Sequence, residues 1–238
     1  AGWSWDKDSA TLTLDGFNGS YIEADGAVTI KLKGTNKITA RSDKDYGVVA
    51  DGVITIDKTV NDKTDKLIIE NNAMNRTSGF YAIAGHSSNY KDTLLNGGSV
   101  EIRITNSASG EVHGGHCVYL YGNANLKMTL NGDKVTGADQ IRSYGNGNVT
   151  LNISGRAEAN GTLFLGVSGS GQINISADVN GNPLEAVAFS IEPVHKIQLE
   201  SGGKIVAVGK ISQANFYDTP LIEDSVKTEP AKRVIRVF

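Results

Sequence analysis

Short segments in which apolar and polar residues alternate recur along this 238-residue chain, and their recurrence constrains the fold more than any other feature. Alternation of this kind is typical of a β-strand with one buried face. From residue 102 onward, matching apolar positions follow one another at intervals of 26, 23, 22 and 24 residues: Ile102, Met128, Leu151, Ile173 and Ile197. A second series of apolar positions comprises Leu32, Ile69, Ile104, Leu130, Ile153, Ile175 and Leu199.

A period near 23 residues, with two or three short strands and Gly/Asn turns in each period, predicts an all-β fold. It favours a single-stranded right-handed parallel β-helix, a solenoid of about seven or eight coils. We expect the first series, from Ile102 to Ile197, to lie one above another in the interior. The leucine/asparagine consensus of a leucine-rich repeat is absent. The alternative is an ordinary β-sandwich in which the alternation is coincidental.

The two ends of the chain have the features of solenoid caps, which protect strand edges that would otherwise promote aggregation. The segment GWSWD contains the only two tryptophans, Trp3 and Trp5, and the segment RVIRVF near the C-terminus alternates like a strand. We expect residues 1–238 to form a single β-helix domain. In this interpretation, residues 1–20 form the N-terminal cap and first coil, and residues 212–238 form the C-terminal cap.

Composition argues against several classes of function. The net charge is −3 and the charges are scattered, which argues against a nucleic-acid partner. No apolar run approaches the roughly 18 residues of a membrane span, so membrane insertion is not expected. The N-x-[ST] triplets favour a bacterial product, because a secreted eukaryotic chain would risk glycans inside predicted strands. These triplets begin at Asn18, Asn75, Asn148, Asn152, Asn160 and Asn174.

The segment WSWDKDSATLTLDGFNGSYIEADGAVTIKLKGTNKIT (Trp3–Thr39) resembles the start of β-helical domains in surface and secreted proteins of gut-type bacteria. Several of those domains are labelled carbohydrate-binding, and they are similar in fold to the pectate-lyase-like superfamily. The resemblance is specific over this segment and architectural beyond it. It implies an extracellular or cell-surface β-helix within a larger surface protein, and it hints at polysaccharide. It transfers no binding residue to this chain.

The segment GEVHGGHCVYLYG (Gly110–Gly122) contains two of the four histidines and the only cysteine. A zinc site needs three or four ligands, usually with a second cluster elsewhere, and the other histidines fall in different coils. A nucleophilic Cys117 would need a positioned base, whereas His116 points the opposite way on a strand. We interpret the segment as a loop with a Gly114–Gly115 turn, followed by the start of a strand. We expect no structural metal at His113, His116 and Cys117.

A polysaccharide lyase would need a carboxylate cluster, for calcium or as a base, together with an Arg or Lys. The outward positions beside the first apolar series are mostly neutral: Arg103, Thr129, Asn152, Asn174 and Gln198. The acids gather instead in RSDKDYG and DKTVNDKTDK, where interleaved lysines are typical of solvated loops. We expect no cofactor and no catalytic residue, and calcium in these loops is the one exception left open.

The second set of strands predicts a strip of outward aromatic residues. Alignment at 22–23 residues stacks Tyr119, Arg142 and Phe164, and places Tyr121 above Tyr144. The apolar residues between them would point inward: Val118, Leu120, Ile141, Leu163 and Leu165. Strands about 4.8 Å apart would form a flat surface of rings and one guanidinium, on which sugar rings can lie. The alternatives are that the residues stack only to stabilise the sheet, or that a loop covers them.

We therefore predict an extracellular bacterial module that binds polysaccharide or glycoconjugate through Tyr119, Tyr121, Arg142, Tyr144 and Phe164, and that is not an enzyme. One alternative is a polysaccharide lyase or hydrolase of the pectate-lyase-like type, which needs acids converging in a cleft. The other alternative is a structural adhesin module that binds a protein partner, which needs an exposed apolar or edge surface.

Overall fold

The computed structural model describes residues 2–59, 64–86 and 93–156 and, beyond these, the backbone of short strands between residues 164 and 235. The regular structure of the described residues is all β. No helix in this part of the chain has the length and apolar character needed to cross a membrane.

The strands are numbered in chain order. The first twelve are β1 Trp3–Asp6, β2 Thr11–Asp15, β3 Asn18–Gly19, β4 Ile22–Ala24, β5 Val28–Lys33, β6 Thr35–Thr39, β7 Tyr46–Ala50, β8 Ile54–Lys58, β9 Lys66–Met74, β10 Phe80–Gly85, β11 Thr93–Leu95 and β12 Ser99–Asn106. The others are β13 Glu111–Leu120, β14 Asn125–Ser143, β15 Val149–Arg156, β16 Phe164–Val167, β17 Gln172–Ala177, β18 Lys196–Leu199, β19 Lys204–Val208, β20 Asn215–Phe216, β21 Val226–Glu229 and β22 Lys232–Ile235.

Most strands pair in parallel, and the pairings form three ladders. Ladder 1 runs through β2, β5, β8, β11, residues 117–120 of β13, residues 140–143 of β14, β16, β18 and β20. Ladder 2 runs through β3, β6, β9, β12, residues 125–131 of β14, β15, β17 and β19. Ladder 3 runs through β4, β7, β10, residues 111–115 of β13 and residues 134–138 of β14. As far as β14, the chain therefore visits the three ladders in turn, and the described strands from β15 to β20 alternate between ladders 2 and 1.

The predicted interior series is correct in its first three members. Ile102 pairs with Met128, and Met128 pairs with Leu151, and all three side chains are completely buried. Ile173 is misplaced, because Leu151 pairs with Ile175. Ile197 is wrong, because it lies in ladder 1 opposite Leu165. The positions paired in succession in ladder 2 are instead Ile38, Ile69, Ile102, Met128, Leu151, Ile175 and Ala207, of which the first five are buried.

The second predicted series is also correct only in its middle. Ile104, Leu130 and Ile153 pair in succession, and Ala177 rather than Ile175 follows them. Leu32 and Leu199 belong to ladder 1, and Ile69 belongs to the first series. The errors have two causes. Leu32, Ile197 and Leu199 lie in a different ladder, because strands of both ladders alternate alike, whereas Ile173 and Ile175 are shifted by two residues. Alternation repeats every two residues, so it does not distinguish a register from one shifted by two, and unequal coils shift the later strands.

The core lies between the ladders and is almost entirely aliphatic. Ladder 1 contributes Ile30 and Ile56, which are directly paired and completely buried. Ladder 3 contributes Val48 and Ile83, which are likewise paired and buried. Parallel strands buried on one face in this way bring like residues into contact on successive turns of the chain.

Asn36 occupies a corner between ladders 1 and 2 and is completely buried. Its amide nitrogen donates to the carbonyl oxygens of Lys33, Gly34 and Lys66, each at 3.3 Å, and its oxygen accepts from the Phe17 amide at 2.8 Å. At the same corner, the buried Asp65 carboxylate accepts from the Gly34 amide at 2.8 Å. Where the backbone bends between two ladders, its amide and carbonyl groups lack hydrogen-bond partners in the adjacent strands. The Asn36 and Asp65 side chains supply those partners.

The corner between ladders 2 and 3 is held by Arg76 and Asn106, both of which are buried. The Asn106 side chain accepts from the Arg76 amide at 3.0 Å and donates to the Arg76 carbonyl oxygen at 3.1 Å. The Arg76 guanidinium donates to the carbonyl oxygens of Ser42 and Lys44, at 2.7 and 2.6 Å, and pairs with the Asp45 carboxylate. Arg76 therefore joins the segments that lead into β7 and β10.

The N-terminal segment covers only ladder 1. β1 pairs antiparallel with β2, and this pairing sets Trp3 opposite Leu14 and Trp5 opposite Leu12. The indoles are 54% and 48% exposed, respectively. Among the described strands, none pairs with the outer edge of β3 or β4. Within residues 212–238, β21 and β22 form a separate antiparallel pair. The domain and cap boundaries remain predictions.

The paired interior series generates a stability prediction. Replacing Ile102 by Asp should unfold the protein at room temperature, because an unpaired buried carboxylate costs several kcal/mol against a total stability of about 5–15 kcal/mol. Circular dichroism and urea titration measure the loss. Thr129→Asp is the matched control, since Thr129 is exposed beside Met128 on the neighbouring strand. A stable Ile102→Asp protein would contradict the position assigned to this residue.

Candidate functional site

The HGGHC segment lies entirely within a strand, so its interpretation as a loop and turn is wrong. β13 runs from Glu111 to Leu120 and passes from ladder 3 to ladder 1. Gly114 is a buried residue near the middle of this strand. A Cβ atom at Gly114 would overlap the Gly137 carbonyl oxygen and the Met128 sulfur. Glycine is therefore needed for close packing between coils and not for a turn.

A stack of rings runs along the outer side of ladder 3. Tyr46 pairs with Tyr81, and Tyr81 pairs with His113, so each ring comes from a successive coil. The ring centroids of Tyr46 and Tyr81 are 5.9 Å apart. Those of Tyr81 and His113 are 4.2 Å apart, with planes only 11° from parallel. This arrangement is the offset stacking that aromatic pairs prefer.

Two further histidines extend this stack toward ladder 1. The His116 ring centroid lies 4.6 Å from that of Tyr81, and the His86 centroid lies 6.0 Å from that of His116. The Nε2 atom of His113 is 3.1 Å from a carboxylate oxygen of Glu111. His113 and His116 thus both contact Tyr81, although they lie on opposite sides of the Gly114–Gly115 pair.

Four of the five residues predicted for the aromatic strip come together in ladder 1. Tyr119 pairs with Arg142, and the Tyr119 and Tyr144 rings stack with centroids 6.2 Å apart. The Tyr121 and Tyr144 rings stack at 5.3 Å. The Arg142 guanidinium donates to the Tyr144 hydroxyl at 3.0 Å. The apolar residues between them are buried as expected: Val118, Leu120 and Ile141.

Phe164 does not take its predicted position above Arg142. Phe164 pairs with Gln140, and Gly166 pairs with Arg142. The interval from β14 to β16 is therefore two residues longer than the alignment assumed, and alternation alone could not detect the difference. The predicted inward position of Leu163 falls outside the described residues.

Tyr119 was expected to expose its ring, but it is only 8% exposed, and Cys117 is only 7% exposed. Tyr144 packs against the Tyr119 ring, which removes ring area from solvent. Tyr121, Arg142 and Tyr144 are half-buried. Burial raises the pKa of the Tyr119 hydroxyl, and the neighbouring Cys117 adds to the increase. Burial also raises the pKa of Tyr121, with a further contribution from Tyr144.

We call the two ring stacks together the aromatic belt: Tyr46, Tyr81, His86, His113, His116, Tyr119, Tyr121 and Tyr144. It contains five of the eight tyrosines and three of the four histidines of the chain. β13 carries members of both stacks. Sequence reasoning missed the half on ladder 3. The signal was available, because YGVVA and YAIAG place Tyr46 and Tyr81 at the same position of similar strands.

The outer side of ladder 2 is charged rather than aromatic. Glu70 pairs with Lys37 at 2.7 Å and with Arg103 at 3.4 Å. Glu101 pairs with Arg103 at 2.7 Å and with Lys127 at 3.5 Å. The hydrogen bond from Arg103 holds the pKa of Glu101 below its usual value. These carboxylates are therefore engaged with cations from their own strand or from neighbouring coils.

No group of three or more His, Cys, Asp or Glu side chains among the described residues is arranged to hold a metal ion. In the loop RSDKDYG, Arg41 pairs with Asp43, and Arg76 pairs with Asp45. Much of the loop DKTVNDKTDK lies outside the described residues, so calcium binding there remains an open expectation.

No family model matches the chain, and the searches of curated proteins and of solved structures find nothing similar to it. The resemblance carried by Trp3–Thr39 therefore remains an expectation, and the candidate site depends on its geometry alone.

The two glycines of HGGHC generate a matched pair of predictions. Gly114→Ala should destabilise the protein by about 1–3 kcal/mol, because the added methyl group overlaps the Gly137 backbone and Met128. Gly115→Ala should cost less, because its nearest neighbour would be the Ile83 carbonyl oxygen at 3.3 Å. Urea unfolding of both variants measures the difference. Equal stabilities would show that β13 does not pack as described.

The raised pKa values of Tyr119 and Tyr121 predict sensitivity to alkaline pH. A folded-state pKa above the unfolded value of about 10 stabilises the fold below that pH, and this stabilisation is lost as pH rises through the folded value. Tyr121→Phe should therefore remove tyrosinate absorbance from the high-pH end of a spectroscopic titration, and should reduce alkaline destabilisation. Loss of absorbance at the low-pH end would contradict the burial of this hydroxyl.

Proposed function

We propose that the chain is a right-handed parallel β-helix that binds polysaccharide or glycoconjugate through the aromatic belt. The parallel ladders support the fold, because the chain moves from ladder 1 to ladder 2 to ladder 3 and then returns to ladder 1. Right-handedness follows from the strong preference of parallel crossover connections, about 98% of which have this hand.

The concentration of the chain's tyrosines and histidines in two ring stacks, both of which include residues of β13, is the observation that carries the binding proposal. Apart from Tyr119, which is buried, core packing does not require these residues, because the buried positions between them are aliphatic. Tyrosine and histidine combine an apolar ring with a polar atom, which suits ligands that present both C–H and hydroxyl groups. Sugars are ligands of this kind.

Stacking between the rings indicates how a glycan would be held. Within each stack, neighbouring rings partly cover one another's faces, so the belt presents ring edges, hydroxyls and ring nitrogens. Arg142 adds a guanidinium whose bond to Tyr144 fixes its direction. A polysaccharide lying along the ladders would meet a similar set of donors and acceptors at each coil, spaced by about 4.8 Å. Recognition would depend mainly on hydrogen bonds.

Binding is better supported than the lyase or hydrolase alternative, because Glu70 and Glu101 are engaged in ion pairs. An adhesin that binds a protein partner would use the same belt or the strand edges of β3 and β4. An extracellular or cell-surface location, within a larger surface protein, belongs to the same proposal.

A glycan array, probed with labelled protein in the presence and absence of calcium, tests the proposal. We expect binding to one class of polysaccharide. The variant Tyr121→Phe/Tyr144→Phe should weaken that binding about tenfold or more, since each lost hydrogen bond contributes about 0.5–1.5 kcal/mol. The rings remain, but Tyr144→Phe removes the acceptor of the Arg142 guanidinium, so stability should fall by about 1–3 kcal/mol with the fold retained.

Tyr21→Phe is the matched control, because Tyr21 lies outside the belt and loses the same hydroxyl. It should bind the glycan like the unmodified protein. Binding that survives removal of the Tyr121 and Tyr144 hydroxyls would exclude the ladder 1 half of the belt. An array without any ligand would leave no support for carbohydrate and would favour the protein-binding alternative.

A further inference from the structure

Trp3 and Trp5 are the only large hydrophobic residues that the described part of the chain exposes. They lie on the same side of β1, because each is two residues from the other and both face the side of Leu12 and Leu14. That side is the interior side of ladder 1. The indoles therefore extend over the N-terminal end of the core, where they remain about half exposed instead of closing it.

A cleft of about 490 Å³ separates the indoles from β4 and the start of β5. Its apolar walls include Trp3, Trp5, Leu12, Ile22, Ala24 and Val28. A second hollow of about 330 Å³ shares Trp3 and also contacts Phe17 and Tyr21. Sites for small molecules are typically concave, largely apolar and about 300–1,000 Å³ in volume, so this cleft has the size of a ligand site.

The charged groups lining the cleft are both acidic. Glu23 and Asp25 belong to β4 and the turn that follows it, and both are exposed at the rim. Within the described part of the chain, no ion pair engages either carboxylate. The Tyr21 hydroxyl lies near Glu23, and burial followed by the charge of Glu23 raises the pKa of Tyr21. The rim is therefore negative, whereas the walls are apolar and aromatic.

Aromatic rings at this end already accept a cation from the chain itself. The Lys44 ammonium lies 4.9 Å from the centroid of the Tyr21 ring. Indole is a stronger partner for cations than phenol, because its ring has the larger negative potential on its face. The cleft therefore combines two half-exposed indoles with two carboxylates. This combination complements a cation with apolar substituents more closely than it complements a neutral sugar.

We propose that the cleft between β1 and β4 binds an organic cation, an alkylammonium or a quaternary ammonium group. The indoles contact the alkyl groups around the charge, and Glu23 and Asp25 supply the opposite charge at the rim. This site is separate from the aromatic belt and does not depend on carbohydrate binding.

The test compares choline with its uncharged isostere dimethylbutanol, in which carbon replaces nitrogen. Both tryptophans of the chain line the cleft, and Trp3 also lines the neighbouring hollow, so intrinsic tryptophan fluorescence reports binding at this end of the chain and not at the aromatic belt. We expect a saturable change with choline and an affinity at least about tenfold weaker for dimethylbutanol. Equal affinity for the two compounds, or no saturable change with choline, overturns the proposal.

Substitution separates the contribution of charge from that of shape. Glu23→Gln/Asp25→Asn should reduce the preference for choline severalfold while leaving dimethylbutanol binding unchanged, because the indoles remain. Asp51→Asn is the matched control, because Asp51 lies one coil away and outside the cleft lining. Thermal unfolding followed by circular dichroism establishes that each variant is folded. A preference in the double variant as large as that of the unmodified protein excludes the carboxylates and contradicts the proposal.

Two further outcomes distinguish this proposal from the glycan proposal. Tyr121→Phe/Tyr144→Phe should leave choline binding unchanged, whatever it does to glycan binding. If a neutral oligosaccharide produces the saturable tryptophan signal and choline does not, the cleft is a sugar site and the organic-cation proposal is wrong.

Discussion

The fold depends on satisfying the backbone where the chain turns from one ladder to the next. Along the ladders, each amide and carbonyl group meets a partner in the coil above or below, but at the corners this pattern fails. Buried side chains supply the missing partners: Asn36 and Asp65 at one corner, and Asn106 and Arg76 at another. An aliphatic core alone would leave these polar groups unpaired, and each unpaired group costs about 1–3 kcal/mol.

The positions of rings in the aromatic belt depend on one of the same corners. Arg76 binds the segment just before Tyr46, and it also lies just before β10, which carries Tyr81. It therefore helps to fix the register in which these two tyrosines pair in ladder 3. Tyr81 can then stack on Tyr46 and His113. The belt and the N-terminal cleft present aromatic residues differently. The belt shows ring edges because its rings stack on one another, whereas the cleft leaves two indoles about half exposed.

Alternation was sufficient to predict an all-β chain with Ile102, Met128 and Leu151 stacked in the interior. It was insufficient for Phe164 and Ile173, since a shift of two residues preserves the pattern. Tyr121 and Tyr144 were brought together correctly because the coil between them is short and regular. Tyr46 and Tyr81 are 35 residues apart, and a search near 23 residues missed them. The burial of Tyr119 depends on a neighbouring ring, which no strand pattern encodes.

The hydrogen bonds of Asn36 affect how the protein unfolds. Its hydrogen bonds reach Phe17 in the preceding coil and Lys66 in the following coil, so one side chain joins three successive coils. In a stacked repeat that contacts only its nearest neighbours, terminal units can fray one at a time. The bonds of Asn36 strengthen both of the nearest-neighbour interfaces that its own coil makes, which raises the cost of separating either neighbouring coil. The N-terminal coils should therefore melt as one cooperative block, so the end with the open cleft need not be the end that frays.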